Sequence, residues 1–206
     1  MTERLAGIQR ISGPVSRETF ERLEEFEAEF VRWSARINLA AFSTLAELWE
    51  RHILDSAQLR PLAPQALRWL DLGSGGGFPG AVMALLLRET PEAHVDLVES
   101  TAKKAAFLQA VLAKLDAPAV VHRGRIEHVV IETPEIVTAR ALAPLPLLLE
   151  LSSRWLCTGA RALFHKGRGY SSELEEIRNV WRFDLVEHPS AVGDGVILDI
   201  VNLRRI

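Results

Sequence analysis

The chain has 206 residues, of which 48% are apolar and 25% charged; that length and composition suit one folded domain and exclude wholesale disorder. A formal net charge of −3 excludes a uniformly basic nucleic-acid coat, so a nucleic-acid partner would need a local patch, built here mostly of arginine. No apolar run approaches the roughly 18 residues of a spanning helix, Met1-Thr2-Glu3-Arg4 opens no signal-peptide pattern, and Cys157 is the single cysteine. The expectation is a cytoplasmic monomer with no membrane contact, no disulfide and no metal site.

In chain order, Ser16 is a plausible N-cap. After it, Phe20, Leu23, Phe26, Phe30, Trp33 and Ile37 recur at helical spacing, with Glu21, Glu24, Glu25, Glu27 and Glu29 on the solvated side. Thr44-Leu-Ala-Glu47 reads as a capping box and predicts a second helix to about Leu59, ended by Pro61. On that helix Trp49, His52 and Ser56 share a face, and Arg51 and Asp55 stand four apart on an adjacent one. Residues 1–62 are therefore expected as a helical extension and residues 63–206 as the core of a single domain.

Past Pro64 the pattern alternates. Strands are expected at 68–72, 95–98, 119–122, 136–139 and 161–164, each followed by a helix or loop, and two closing strands near 183–187 and 196–201 are close enough to pair antiparallel. Helices are expected at 79–88, 104–115, 145–155 and 171–179. The class is α/β: a Rossmann-like, mostly parallel seven-stranded sheet with helices on both faces.

Asp71-Leu-Gly-Ser-Gly-Gly-Gly-Phe-Pro-Gly80 lies between a strand and a helix, the context that gives a glycine match meaning. Gly73, Gly75 and Gly77 allow a tight turn and close approach of the backbone to a ligand. Glu99 ends the next strand, where a carboxylate accepts hydrogen bonds from both hydroxyls of an unphosphorylated ribose. A dinucleotide and S-adenosyl-L-methionine both fit this geometry. Read from Gly75 the loop even satisfies G-x-G-x-x-G. Asp71 just before the glycines favours S-adenosyl-L-methionine.

With these residues in place, the sequence resembles the RsmG (GidB) family of bacterial 16S ribosomal RNA guanine-N7 methyltransferases between about Phe30 and Gly169. The resemblance is carried by Trp33-Ser-Ala-Arg-Ile-Asn-Leu39, Arg51-His-Ile-Leu-Asp-Ser56, the glycine segment, Leu97-Val-Glu-Ser100 with Lys103-Lys104, Arg125-Ile-Glu127, Val137-Thr-Ala-Arg140 and Lys166-Gly167. Ser34 departs from the family's usual Asn. The resemblance implies methyl transfer from S-adenosyl-L-methionine to N7 of guanosine 527 in 16S ribosomal RNA, free or in the 30S subunit. It also implies cofactor contacts at Gly73, Phe78, Ile126, Glu127 and Arg140, with residues 126–127 beside the adenine.

Guanine N7 carries an in-plane lone pair, so no general base is required and catalysis reduces to positioning and charge stabilisation. No acid or base is therefore assigned. The chain has Thr138-Ala-Arg-Ala141 where enzymes acting on exocyclic amines carry Asp/Asn-Pro-Pro-aromatic. Cys157 reads as a small buried hydrophobe in a helix. Arg140, at a strand's C-terminal end, is placed to meet a phosphate, guanine O6 or the cofactor, or else forms a surface ion pair. His52 and Asp55 either shape the guanine pocket or only dock the helix. Arg123, Arg125 and Lys166 are candidates for RNA phosphate, each with the alternative of an ordinary loop cation. Arg32, Arg36 and Arg51 would extend that patch. The rival readings are a small-molecule methyltransferase on the same fold, a nicotinamide-dependent oxidoreductase and a non-catalytic RNA-binding assembly factor.

Overall fold

A computed structural model describes residues 3–39 and 42–206. Seven strands make one sheet: β1 (Arg68–Leu72), β2 (His94–Glu99), β3 (Ala119–Arg123), β4 (Ile136–Arg140), β5 (Arg161–Lys166), β6 (Trp181–Pro189) and β7 (Val196–Arg205). Their order is β3-β2-β1-β4-β5-β7-β6. The first five run parallel, and β7 lies antiparallel between β5 and β6. The chain order reverses between β1 and β4, so a crevice opens at their C-terminal ends, where ligands bind in open α/β sheets.

Helices cover both faces. On one side lie α1 (Glu3–Ser12), α2 (Arg17–Ser34), α4 (Gly80–Leu87) and α5 (Ala102–Lys114), with a short α3 (Asp55–Ala57); on the other lie α6 (Leu145–Leu156) and α7 (Tyr170–Ile177). Ser16 caps α2 by accepting the Thr19 N–H at 3.0 Å. Phe20, Leu23, Phe26 and Phe30 then bury their rings and chains in the same cluster as Trp49 and Phe107. All eight residues of α4 are buried. The sheet covers one flank of α4 and the N-terminal helices cover the other, so a helix that is apolar all round is stable here. Each of these fully buried Phe and Leu side chains contributes roughly 1.5–3 kcal/mol. Among the described residues, no helix is long and apolar enough to cross a membrane.

The structure departs from the sequence reading in three places. A first helix, α1, precedes Ser16. The segment expected as one regular helix from Thr44 to Leu59 is instead a 3-10 stretch (Phe42–Glu47), a π-helical stretch (Trp49–Leu54) and the single turn of α3. The Thr44 side chain lies outside the described residues, and its backbone is inside the 3-10 stretch rather than at an α-helical N-cap. The expected Arg51–Asp55 pair does not form. Arg51 turns back to Glu47 at 3.1 Å, while Asp55 binds Arg140 at 2.8 Å. Finally, Cys157 is exposed at the C-cap of α6, not buried within it, because the helix ends one residue earlier.

Candidate functional site: two cavities at the C-terminal edge of the sheet

The glycine loop between β1 and α4 is held from within. Asp71 Oδ1 accepts the Thr138 hydroxyl at 2.8 Å and Oδ2 accepts the Gly80 N–H at 3.2 Å. The carboxyl thereby ties β1 to β4 and caps the first turn of α4. Its complete burial raises its pKa to about 6. Gly73 has φ +66°, and a Cβ there would stand 2.4 Å from Leu142 Cδ1; only glycine allows Leu142 to lie across this turn. Glu99, expected at a ribose, also anchors the loop: its Oε2 accepts the Gly75 N–H at 2.8 Å and its Oε1 the Thr101 N–H at 2.6 Å. Each carboxylate oxygen has a second lone pair to offer.

Two cavities lie along this edge of the sheet, the smaller of them against the glycine loop. The smaller, about 200 Å³, is lined by Gly73, Ile126 and Glu127 together with Val98, Ser100 and Leu147. The larger, about 880 Å³, lies over the ends of β4 and β5 and includes Arg140, Asp55, His165 and Lys166 in its walls. Leu142 and Ala143 line both. Leu142 and Ala143 belong to no motif that marks them in the sequence; Pro144 just before α6 is the local signal that the chain turns here.

The ring of Phe78, a residue expected against the cofactor, packs inward. Its ring meets Phe26 and Phe30 at centroid distances of 5.6 and 5.3 Å, and His52 stacks on it at 5.0 Å. It is a platform for His52, whose Nδ1 accepts from Arg140 Nη2. Gly77 likewise faces the core, beside Ala81 and Leu108. Burial, with Arg140 adding to it, lowers the His52 pKa to about 4, so the ring is neutral at physiological pH. Arg140 Nη1 donates to Asp55 Oδ2 at 2.8 Å and to the Arg51 carbonyl at 3.1 Å. Thus β4, the π-helical stretch and the glycine loop converge on one guanidinium. His165, not singled out from sequence, donates from Nε2 to the Asp55 carbonyl at 3.0 Å.

The expected basic patch is only partly free. Arg123, Arg125, Arg140 and Lys166 do stand along the C-terminal edge of the parallel strands. Arg123 and Arg125 are exposed there, the latter 3.9 Å from Glu127. Lys166, in contrast, is turned inward: its ammonium pairs with Glu173 at 2.5 Å and donates to the Ala143 carbonyl at 3.2 Å. The two helices following β4 and β5 pack together and bring Glu173 of α7 over the end of β5, which corrects the expectation of a phosphate-facing lysine. Arg140 is neutralised by Asp55, Arg51 pairs with Glu47, and Arg32 pairs with Glu29.

The family model described as rRNA small subunit methyltransferase G matches residues 19–194. The ribosomal RNA small subunit methyltransferase G of a Chelativorans species is 62% identical over 209 residues, covering 100% of both chains. That of Brucella canis is 57% identical over 205 residues, covering 98% of this chain and 96% of its own. A solved structure of a putative O-methyltransferase from Klebsiella pneumoniae shares the fold, with a TM-score of 0.59 at 16% identity over 96% of this chain and 95% of that one. Matched along its whole length by relatives of one kind, with the glycine loop, the Arg-His segment and Arg140 brought to one edge of the sheet, the chain belongs to the rRNA small subunit methyltransferase G family.

Proposed function

We propose that the chain transfers a methyl group from S-adenosyl-L-methionine to N7 of a guanosine, position 527, in 16S ribosomal RNA, acting as a monomer in the cytoplasm on the free RNA or the 30S subunit. The observation that carries this reading, beside family membership, is the pair of cavities that meet at Leu142 and Ala143. One has the apolar walls and few polar groups that suit an adenosine; the other is large enough for an unstacked nucleotide.

The residues present fit the cofactor. Gly73 lacks the Cβ that would close the turn, Val98, Ile126 and Leu147 offer flat apolar contact, and Ser100 and Glu127 offer polar partners at the rim. Glu99 keeps acceptor capacity for ribose hydroxyls while fixing the loop through Gly75. When bound, the cofactor supplies an electrophilic methyl group on a sulfonium.

The protein's contribution is then placement. Guanine N7 attacks with a lone pair and releases no proton, so His52 and Asp55 act neither as acid nor as base. His52 stays neutral and orients Arg140, and Asp55 fixes the guanidinium at the end of β4, where the base must approach. Arg123 and Arg125 supply exposed charge for phosphates beside the smaller cavity. A transfer assay with methyl-labelled cofactor tests the reading. Label is expected in 16S RNA or 30S subunits; label only in small metabolites, or none in either RNA preparation, would overturn it.

A further inference from the structure

Asp55 sits where four segments meet. Its Oδ2 accepts from Arg140 at 2.8 Å and its Oδ1 from Gln58 Nε2 at 2.7 Å and from the Ser190 hydroxyl at 3.3 Å, while its carbonyl accepts from His165 at 3.0 Å. The Arg140 and Asp55 side chains are only 16% and 15% exposed. Arg140 ends β4 and is followed directly by Ala141, Leu142 and Ala143, the last two of which join the two cavities.

The charges around this pair are few. The imidazoles packed on it, His52 and His165, are both shifted down by burial, which outweighs the opposite pull of Asp55, with Arg140 acting in the same direction as burial. Arg51 is neutralised by Glu47, and Lys166 by Glu173. Asp71, enclosed by Thr138 and Gly80, acts on Arg140 only as a more distant negative charge. Asp55 is therefore the direct counter-charge of a guanidinium shielded from water.

A sulfonium donor carries a permanent positive charge, and the thioether that remains after transfer carries none at sulfur. An uncompensated Arg140 beside the meeting point of the cavities would repel the former and leave the latter untouched. We propose that Asp55 is the counter-ion that allows Arg140 to stand beside a cationic methyl donor, a positioning and charge-balancing role that rests on the reading of the site given above. Arg140 is needed there as a tie from β4 to the Arg51 carbonyl and the His52 ring. Asp55 supplies that tie with an anchor and cancels its charge.

The test is a ratio of affinities, measured by calorimetry with S-adenosyl-L-methionine and S-adenosyl-L-homocysteine on the whole chain. Asp55→Asn is expected to weaken the sulfonium ligand by about tenfold, the scale of one unpaired charge in a partly buried site, and the thioether much less. Asp55→Glu keeps the charge and is expected to keep the wild-type ratio. Ser190→Ala loosens one Asp55 bond without changing charge and is expected to move both affinities together. Arg140→Gln leaves Asp55 as the unpaired charge and is expected to shift the ratio the opposite way, toward the sulfonium. That sign decides the matter even where Asp55→Asn fails to fold. Equal losses of both ligands in Asp55→Asn, or an unmoved ratio in Arg140→Gln, would overturn the proposal. Failure of the wild type to bind either ligand would overturn the cofactor reading beneath it.

Discussion

Gly80→Ala isolates the contact that locks the glycine loop. Gly80 is the first residue of α4 and does not need a left-handed backbone, so strain in φ is not at issue. A Cβ there would stand 2.6 Å from Asp71 Oδ2, 2.7 Å from its Cβ and 2.9 Å from its Cγ. All three atoms belong to a side chain that is 1% exposed and is gripped by Thr138 at 2.8 Å. It has no room to withdraw, and either the α4 start or the β1–β4 tie must shift. Overpacking of this kind costs about 1–3 kcal/mol. Against it stands a gain of up to ~1 kcal/mol for alanine over glycine in a helix. The net expectation is a loss of roughly 1–2 kcal/mol, or about 2–8 °C in Tm for a chain of this size. Urea and thermal unfolding of Gly80→Ala read this directly. Gly169→Ala, where nothing lies within 4 Å of the added carbon, is the control and is expected within about 0.5 kcal/mol of wild type. Equal stability of Gly80→Ala and wild type would refute the view that Asp71 is a rigid brace.

Two more expectations follow from the same geometry. Because the Asp71 pKa is raised from its usual 3.8 to about 6, its protonated form favours the fold. That contribution is complete below about pH 4 and is lost as pH rises through about 6, and it amounts to roughly 2–3 kcal/mol; Asp71→Asn should lack this slope when unfolding is measured from pH 4 to 7, and an identical pH profile would count against it. Lys166→Ala should leave the salt dependence of RNA binding unchanged, since Glu173 already neutralises this lysine, whereas Arg123→Ala should lower the slope by about one; filter binding across a salt series distinguishes the two, and the reverse ranking would show that Lys166 swings out to the RNA.

Much of the frame is legible in the sequence because buried strands are short apolar runs bounded by turn residues, as in Arg68–Leu72 and Ile136–Arg140. The glycine loop is equally plain, since left-handed φ values at Gly73, Gly75 and Gly77 demand that residue. The less legible parts depend on distant partners. Asp55 and Arg140 are separated by 85 residues, and no local pattern announces that they meet. Within the π-helical stretch His52 faces Arg140 while Trp49, Ile53 and Leu54 are buried. Lys166 reads as an exposed loop cation until α7 brings Glu173 onto it. Phe78 reads as a ligand contact because it follows the glycines, and nothing along the chain announces that its ring also packs on Phe26 and Phe30 of α2. In each case a tertiary contact adds what the neighbourhood along the chain does not show.

The proposed mechanism commits to one product, a guanosine methylated at a nitrogen that needs no deprotonation. The most direct measurement is the identity and position of the methylated nucleotide, obtained by nuclease digestion and mass spectrometry of 16S RNA after incubation with the protein and S-adenosyl-L-methionine. The expected result is 7-methylguanosine at position 527 and nowhere else. A methyl group on an exocyclic amine or a pyrimidine carbon would contradict it, because those acceptors must give up a proton and the proposed mechanism gives His52 and Asp55 no part in taking one.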